Sequence, residues 1–325
     1  MHQVLADLPK MLRVGTRFAR GEPIGFSFNV SDRCPVNCKC YWRAMERVPE
    51  LTPDEMVAFF EKKAREGFVH VNMVGGEPYV HLKSDLLERL AATMPSVWIT
   101  TSGVTPMKHI PNVLHFISID GGDAETHDRV RGFKGLYDRI VKHLSDARAS
   151  GPFPACLHVT PNSQNYTQVR QILETWLANG LVDGVAFSTH TPIRDADDDW
   201  LRLSDEQSES LVADLLQCRQ EFRDFLLNSP AMIRRLLPKN MKKQTPDNCP
   251  TARYVHSFHA DGSRIEQCIF TEKGDCSGCG CAVNTALESI PLGLDFDLQS
   301  ARMLRKLLPP FAQSQQKEVE MAQSN

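Results

Sequence analysis

The sequence predicts an α/β fold: a parallel sheet with helices outside it and a small cysteine-rich region toward the C-terminal end. Three observations predict it. Strand-like and helix-like runs alternate six times between residue 24 and about residue 227. The alternation stops near residue 228. Beyond it come Cys249, Cys268, Cys276, Cys279 and Cys281, half of the ten cysteines in the chain.

The elements follow in order. Val4, Leu5, Leu8, Met11, Leu12 and Phe18 recur at helical spacing, so residues 1–23 read as a short amphipathic helix, a docking helix rather than the alternative membrane-surface anchor. "IGFSFNV" (24–30) alternates as a strand and runs straight into "SDRCPVNCKCYWRA". Residues 52–67 form a helix: Thr52 is the cap, Pro53 takes the first turn, Glu55 sits at capping-box spacing and Gly67 ends it. The strand 68–74 leads into Gly75-Gly76-Glu77-Pro78. A helix over about 83–93 and the strand 97–101 follow, then the strand 114–120 and a helix over about 135–150. The strand 155–161, a helix over 165–179, the strand 184–190 and a helix over 205–227 complete the series. Two arrangements fit this order, an open doubly wound sheet and a partial barrel of six units. In both, chemistry belongs at the C-terminal ends of the strands.

Composition narrows the function. A net charge of −3 gives no basic face for nucleic acid. No apolar run approaches the roughly 20 residues of a membrane span. The N-terminus shows neither the apolar core nor the cleavage site of an export signal, which predicts a cytoplasmic setting. In a reducing compartment clustered cysteines are metal ligands more often than disulfides.

The candidate site residues gather at the strand ends. The cysteine triplet Cys34, Cys38 and Cys40 follows the first strand and Gly75–Pro78 the second. Thr100, Thr101 and Ser102 end the third, Ser118 and Asp120 the fourth, Thr160 the fifth, and Ser188, Thr189 and His190 the sixth. Any one of these polar residues could simply cap a helix or close a loop. A structural zinc needs four ligands, whereas the loop supplies three, and neither His2 nor His70 lies at a spacing that completes the set. Three thiolates suit a four-iron cluster whose last iron stays open.

A cysteine triplet after the first strand, with Gly-Gly-Glu-Pro after the second, resembles the radical S-adenosylmethionine superfamily. "SIDG" (118–121) and "HDRVRG" (127–132) add to the likeness. It covers about 24–190 and extends more weakly to about 281. The resemblance implies a partial (βα)6 TIM-like barrel over 24–228. It implies a [4Fe-4S] cluster on Cys34, Cys38 and Cys40, and S-adenosylmethionine seated through its amine on Gly75, Gly76, Glu77 and Pro78. Ser102, Ser118, Asp120, Thr160 and Ser188 are candidates for the remaining cofactor or substrate contacts. Reductive cleavage would give a 5′-deoxyadenosyl radical that abstracts hydrogen from a substrate, or adds to it. The substrate could be a small molecule, a lipid or a peptide, and the electron donor a flavodoxin or ferredoxin. One departure stands out. The usual spacing is C-x3-C-x2-C; here it is C-x3-C-x-C, with Tyr41 where the third cysteine is expected. Either Cys40 reaches the cluster through a different turn, or only two cysteines ligate.

Residues 229–248 are basic and proline-punctuated and read as a linker or an irregular helix. "YVHSFHADGSRIEQCIF" (254–270) reads as a hairpin turning at Ala260-Asp261-Gly262, which would bring Cys249 and Cys268 together. With "CSGCGC" behind it, the region 249–290 resembles the auxiliary-cluster extensions of SPASM or Twitch type. That implies a second iron–sulfur cluster on four of Cys249, Cys268, Cys276, Cys279 and Cys281; structural zinc and unligated cysteines are the alternatives. Cys156 and Cys218 read as small buried hydrophobes. His127, Asp128 and Arg129 read as active-site or helix-start residues, and His109, His158 and His190 as ordinary packed or surface histidines. "DADDDW" (195–200) reads as a solvated loop, and 291–325 as a helix with a polar tail. The helical N-terminus and the "SPAMIRRLL…NCP" approach to the tail bear a looser likeness to adenosylhopane-forming hopanoid-biosynthesis enzymes; the peptide-modifying and cofactor-maturing branches with auxiliary clusters fit about as well. The competing functional reading is a non-catalytic or zinc-binding scaffold built on the same fold.

Overall fold

The computed structural model describes residues 12–38, 47–194 and 199–289. The described part of the N-terminal helix, α1, covers residues 12–19. Six strands follow: β1 (Gly25–Asn29), β2 (His70–Val74), β3 (Val97–Thr101), β4 (Val113–Ser118), β5 (Ala155–Val159) and β6 (Val185–Phe187). Each pairs in parallel with the next. The spatial order repeats the chain order without reversal. A doubly wound sheet reverses direction at a switch point. This one does not, so of the two arrangements the chain takes the partial (βα)6 barrel.

The crossover helices are α2 (Pro53–Arg65), α3 (Pro78–His81), α4 (Ser84–Thr93), α5 (Ala124–Arg131), α6 (Leu136–Ala149) and α7 (Val169–Asn179); α8 (Asp205–Phe222) follows β6. Right-handed crossovers place them along one face. Strand alternation supplies the core there. Phe26, Phe28, Val71, Met73, Val97 and Ile99 point outward and pack with Met56 and Phe60 of α2 and Leu86, Leu87 and Leu90 of α4. Ile117, Leu157, Val159 and Phe187 do the same against α6, α7 and α8. Thr52 closes both halves of the expected capping box with Glu55. On the inner face Leu114, Phe116 and Cys156 pack with Trp98, Ala186 and Leu227. That apolar floor leaves Thr100, Ser118 and His158 nearer the C-terminal rim.

Three expectations are sharpened by the structure. The helix predicted over 205–227 ends at Phe222, where Arg223 takes φ 40°. The Arg219 guanidinium donates to the Arg223 carbonyl and, at 2.6 Å, to that of Leu226, turning the chain back to the sheet. Leu227 N then bonds Val185 O at 2.8 Å.

Second, of the linker and the irregular helix read over 229–248, the chain takes the helical form, and it is packed. It holds α9 (Pro230–Arg235), capped by Ser229, and α10 (Pro238–Met241). Ala231, Met232, Ile233, Leu236 and Met241 are buried, an apolar set that the prolines and charges between them mask in sequence.

Third, the hairpin expected over 254–270 forms, and it also joins the sheet. After α11 (Pro250–Tyr254), β7 (Val255–Phe258) pairs in parallel with β1, and β8 (Arg264–Ile265) pairs antiparallel with β7. At the opposite edge, Thr189 bridges Gly280 and Ile193 bridges Gly274 just before α12 (Ala282–Ser289). The cysteine-rich region therefore touches both edges of the six-strand sheet.

Candidate active site

The cysteine loop leaves β1 with one more sheet bond, Val30 N to Val74 O at 2.8 Å. Ser31 Oγ donates to Glu50 at 2.6 Å and accepts from Arg33 N at 3.0 Å, and Arg33 pairs with Glu50 at 2.9 Å. Cys34 is exposed and Cys38 buried. Cys40 and Tyr41 lie outside the described residues. Two glycines grip the loop from opposite sides. A Cβ on Gly76 would collide with the Arg33 carbonyl, and one on Gly132 with the Asn37 carbonyl. Both glycines adopt positive φ, 52° and 62°, so the close approach and the backbone shape exclude other residues together. The Arg33 carbonyl also accepts from Glu77 N at 3.2 Å and is bonded by His81 Nε2 at 2.8 Å. The second-strand turn thus seats the first-strand loop.

Glu77 is fully buried. It accepts from Thr101 Oγ1 at 2.6 Å, Ser102 N at 2.7 Å, Ser102 Oγ at 2.5 Å and Tyr79 N at 3.2 Å. Ser102, expected as a ligand contact, is therefore engaged by Glu77. Beneath Gly75 lies Asn29, 3% exposed, whose amide oxygen and nitrogen both lack a partner among the described residues. Gly75 at φ 79° leaves the space a Cβ would need, 2.8 Å from that oxygen. An unsatisfied buried amide below a backbone cradle fits a polar ligand.

Behind the turn a second network holds its position. His115 Nδ1 lies 3.1 Å from Pro154 O, which can only accept, so Nδ1 carries the proton. Nε2 then accepts from the Tyr79 hydroxyl at 2.5 Å. Burial holds the His115 imidazole down at about 3 and so keeps it neutral.

At the ends of β4 and β5, Asp120 is 2% exposed. Its Oδ2 pairs with Arg131 Nε at 2.7 Å, and its Oδ1 accepts from Thr160 N at 2.8 Å. Arg131 Nη1 lies 3.6 Å from Cys38 Sγ. His127 Nδ1 accepts from Asp120 N at 3.1 Å. Asp128 accepts from Gly135 N and Tyr137 N, bracing the start of α6. Asp128 thus has a helix-start role, whereas His127 binds the backbone just past β4. Arg131 and Asn29 are residues that sequence reasoning missed; Arg131's signal was the position before a C-capping glycine in "HDRVRG", and Asn29's was its place at the end of β1. Ser118 is buried, opposite His158 across the β4–β5 pairing. Burial lowers the His158 imidazole to about 4, with Asp120 opposing and Arg131 reinforcing the shift.

The cysteine-rich region closes on the end of β6. Ser188 Oγ donates to Gly280 O at 3.4 Å and accepts from Ala282 N at 3.1 Å, so it too is engaged within the protein. Thr191 Oγ1 reaches Cys279 Sγ at 3.4 Å, and Cys249 Sγ reaches Asn284 Oδ1 at 3.5 Å. Cys268 feels the thiols of Cys281, Cys249 and Cys276 as neighbours, and burial pushes it up to about 12. Burial likewise raises Cys276, Cys279 and Cys281. Among the described residues no three Cys, His, Asp or Glu side chains close to the spacing of a single metal ion. A four-iron cube holds its thiolates farther apart than one ion does, and soft, desolvated thiols are its usual donors. Cys156 and Cys218 are 2% and 0% exposed and pack in the core.

Residues 28–176 match the profile of the radical SAM superfamily. The match begins in β1, ends in α7 and contains both the cysteine loop and the Gly-Gly-Glu-Pro turn. Residues 28–176 form a radical SAM domain. Similar proteins include the sporulation killing factor maturation protein SkfB of Bacillus subtilis, 27% identical over 47% of this chain and 39% of that protein. The mycofactocin maturase MftC of Mycolicibacterium smegmatis is 30% identical over 48% and 43%. The AdoMet-dependent heme synthase of Methanosarcina barkeri is 27% identical over 43% of each. The chain thus spans less than half the length of these relatives. Among solved structures, Streptococcus suis SuiB bound to its precursor peptide SuiA superposes with TM-score 0.62 at 14% identity, over 80% of this chain and 63% of that one. The enzyme anSMEcpe with bound AdoMet gives 0.56 at 14%, over 92% and 96%. At that identity the two structures show the fold of the radical SAM domain and its surroundings.

Proposed function

We propose that the chain is a radical SAM enzyme that modifies a peptide. Cys34, Cys38 and Cys40 hold a [4Fe-4S] cluster, and the cradle of Gly75, Gly76 and Asn29 receives the methionyl end of S-adenosylmethionine. The observation that carries the reading is the seating of the cysteine loop on Gly76 and Glu77 through the Arg33 carbonyl. The cluster, when bound, supplies the electron that splits S-adenosylmethionine to methionine and a 5′-deoxyadenosyl radical. The chain's own residues do the rest. Glu77 fixes the turn to β3, the Gly75 backbone and the Asn29 amide orient the ligand, and the floor of Trp98, Phe116 and Leu114 excludes water below. Neutral His158 and Ser118 face the space above that floor, where a substrate would lie. Four of Cys249, Cys268, Cys276, Cys279 and Cys281 hold an auxiliary iron–sulfur cluster beside the end of β6. The maturases among the relatives, and a fold neighbour solved with a precursor peptide, support a peptide as substrate.

The test is anaerobic reconstitution followed by dithionite and S-adenosylmethionine. Wild type should be brown, carry about eight irons for two four-iron clusters and release 5′-deoxyadenosine; Cys38→Ala should release none. Wild type as inert as the variant at full iron content would leave the scaffold reading in its place.

A further inference from the structure

We propose that Arg131 is a positioning residue for the cluster loop: it donates to the Cys38 sulfur and thereby both secures that corner of the cluster and raises its reduction potential. The inference rests on Cys38 being a cluster ligand, as proposed above. Its grounds are geometric. The Arg131 side chain is 8% exposed, and a cation buried that deeply needs fixed partners. Nε lies 2.7 Å from Asp120 Oδ2, an ion pair that holds the guanidinium beside the carboxylate. Asp120 cannot yield, because Thr160 N binds its other oxygen and Asn165 Nδ2 holds its carbonyl at 2.9 Å. The fork therefore presents Nη1 to Cys38 Sγ, 3.6 Å away. The next residue, Gly132, sits against the carbonyl of Asn37, next to Cys38. Two consecutive residues at the end of α5 so grip two consecutive residues of the loop, one by side chain and one by backbone.

The chemical consequence follows from charge. Reduction adds one electron to the cluster and its thiolates. A charge-assisted donor on a ligating sulfur stabilises that extra negative charge, so the reduced state is favoured. The same contact slows loss of the Cys38 corner, as outer partners of metal ligands generally do.

The experiment compares reconstituted full-length wild type with two variants. Arg131→Met alone would leave Asp120 buried and unpaired, so the principal variant is Asp120→Asn combined with Arg131→Met. It removes both charges together and keeps an acceptor for Thr160 N. The second is Arg131→Lys, which keeps the ion pair but withdraws the forked donor. The readouts are the midpoint potential of the cluster whose EPR signal disappears in Cys38→Ala, and the rate of iron loss to a chelator. The double variant should show a more negative potential and lose iron about tenfold faster; Arg131→Lys should fall between it and wild type. A fold-competent double variant with wild-type potential and iron loss overturns the proposal. If the double variant does not fold, Arg131→Lys decides alone, and wild-type values in both readouts overturn it. A wild type with no reducible cluster at Cys38 would instead sink the proposed function.

Discussion

Ser102 grips Glu77 twice, through its backbone N at 2.7 Å and its hydroxyl at 2.5 Å, both on the same carboxylate oxygen. The Gly-Gly-Glu-Pro turn is thereby locked to the end of β3. Removing the carboxylate leaves the donors of Thr101 and Ser102 buried without an acceptor, and such a loss costs about 3 kcal/mol when the missing partner is ionised. Glu77→Ala should lower stability by that amount in urea unfolding of the metal-free protein. Glu77→Gln, which keeps one acceptor oxygen, should lose less. Equal stability of Glu77→Ala and wild type would refute the lock.

Gly76 and Gly135 both hold positive φ, 52° and 80°, but their surroundings differ. A Cβ on Gly135 would have no neighbour within 4 Å, whereas one on Gly76 would strike the Arg33 carbonyl. Gly135→Ala should therefore lose only backbone strain, about 1 kcal/mol, and keep its iron. Gly76→Ala must push the cysteine loop away and should fail to retain iron at Cys38. Iron per chain and thermal melts of the two variants separate strain from displacement.

Much of this site was legible because strand ends are legible. Alternation placed six strands within a few residues, and the cysteine loop and glycine turn fell at adjacent ends as the parallel order requires. What sequence does not display is partnership. Ser102, Asp120 and Ser188 stand at the strand ends where ligand contacts were expected, yet their side chains are bonded by Glu77, by Arg131 and by the Gly280–Ala282 segment. Arg131 was missed because its role depends on Asp120, eleven positions earlier, and on Cys38, 93 positions away. Over 229–248, where a linker and an irregular helix both fitted, the apolar residues are too few and too interrupted for a clear period, and it is packing against α12 and α8 that makes the helical form.

His115 and His127 are wholly buried, and burial holds them down at about 3 and about 4. In the unfolded chain both titrate near 6.5. Between pH 6.5 and the folded values the unfolded state binds more protons, so stability rises with pH across that window. It is complete above about 6.5 and is lost progressively as the pH falls. At pH 5.5 each histidine should already have removed about 1.4 kcal/mol. His115→Gln should shrink the stability difference between pH 7.5 and pH 5.5 by that amount, measured by urea unfolding; an unchanged difference would show that His115 is not held neutral.

The cysteine-rich region makes the sharpest claim on stoichiometry. Cys268 has Cys281, Cys249, Cys276 and Cys279 as thiol neighbours, while Cys156 and Cys218 are enclosed by the apolar core. Cys268 is therefore the hub of any cluster bound there, and its loss should empty the site. Cys268→Ala should hold about four irons where wild type holds about eight, with the EPR signal assigned to Cys38 intact. Cys156→Ala and Cys218→Ala should hold the full complement, because neither sulfur has a route to metal. Elemental analysis of the three variants also tests the zinc alternative, since a structural zinc would leave the iron count of Cys268→Ala at the wild-type value and remove zinc instead.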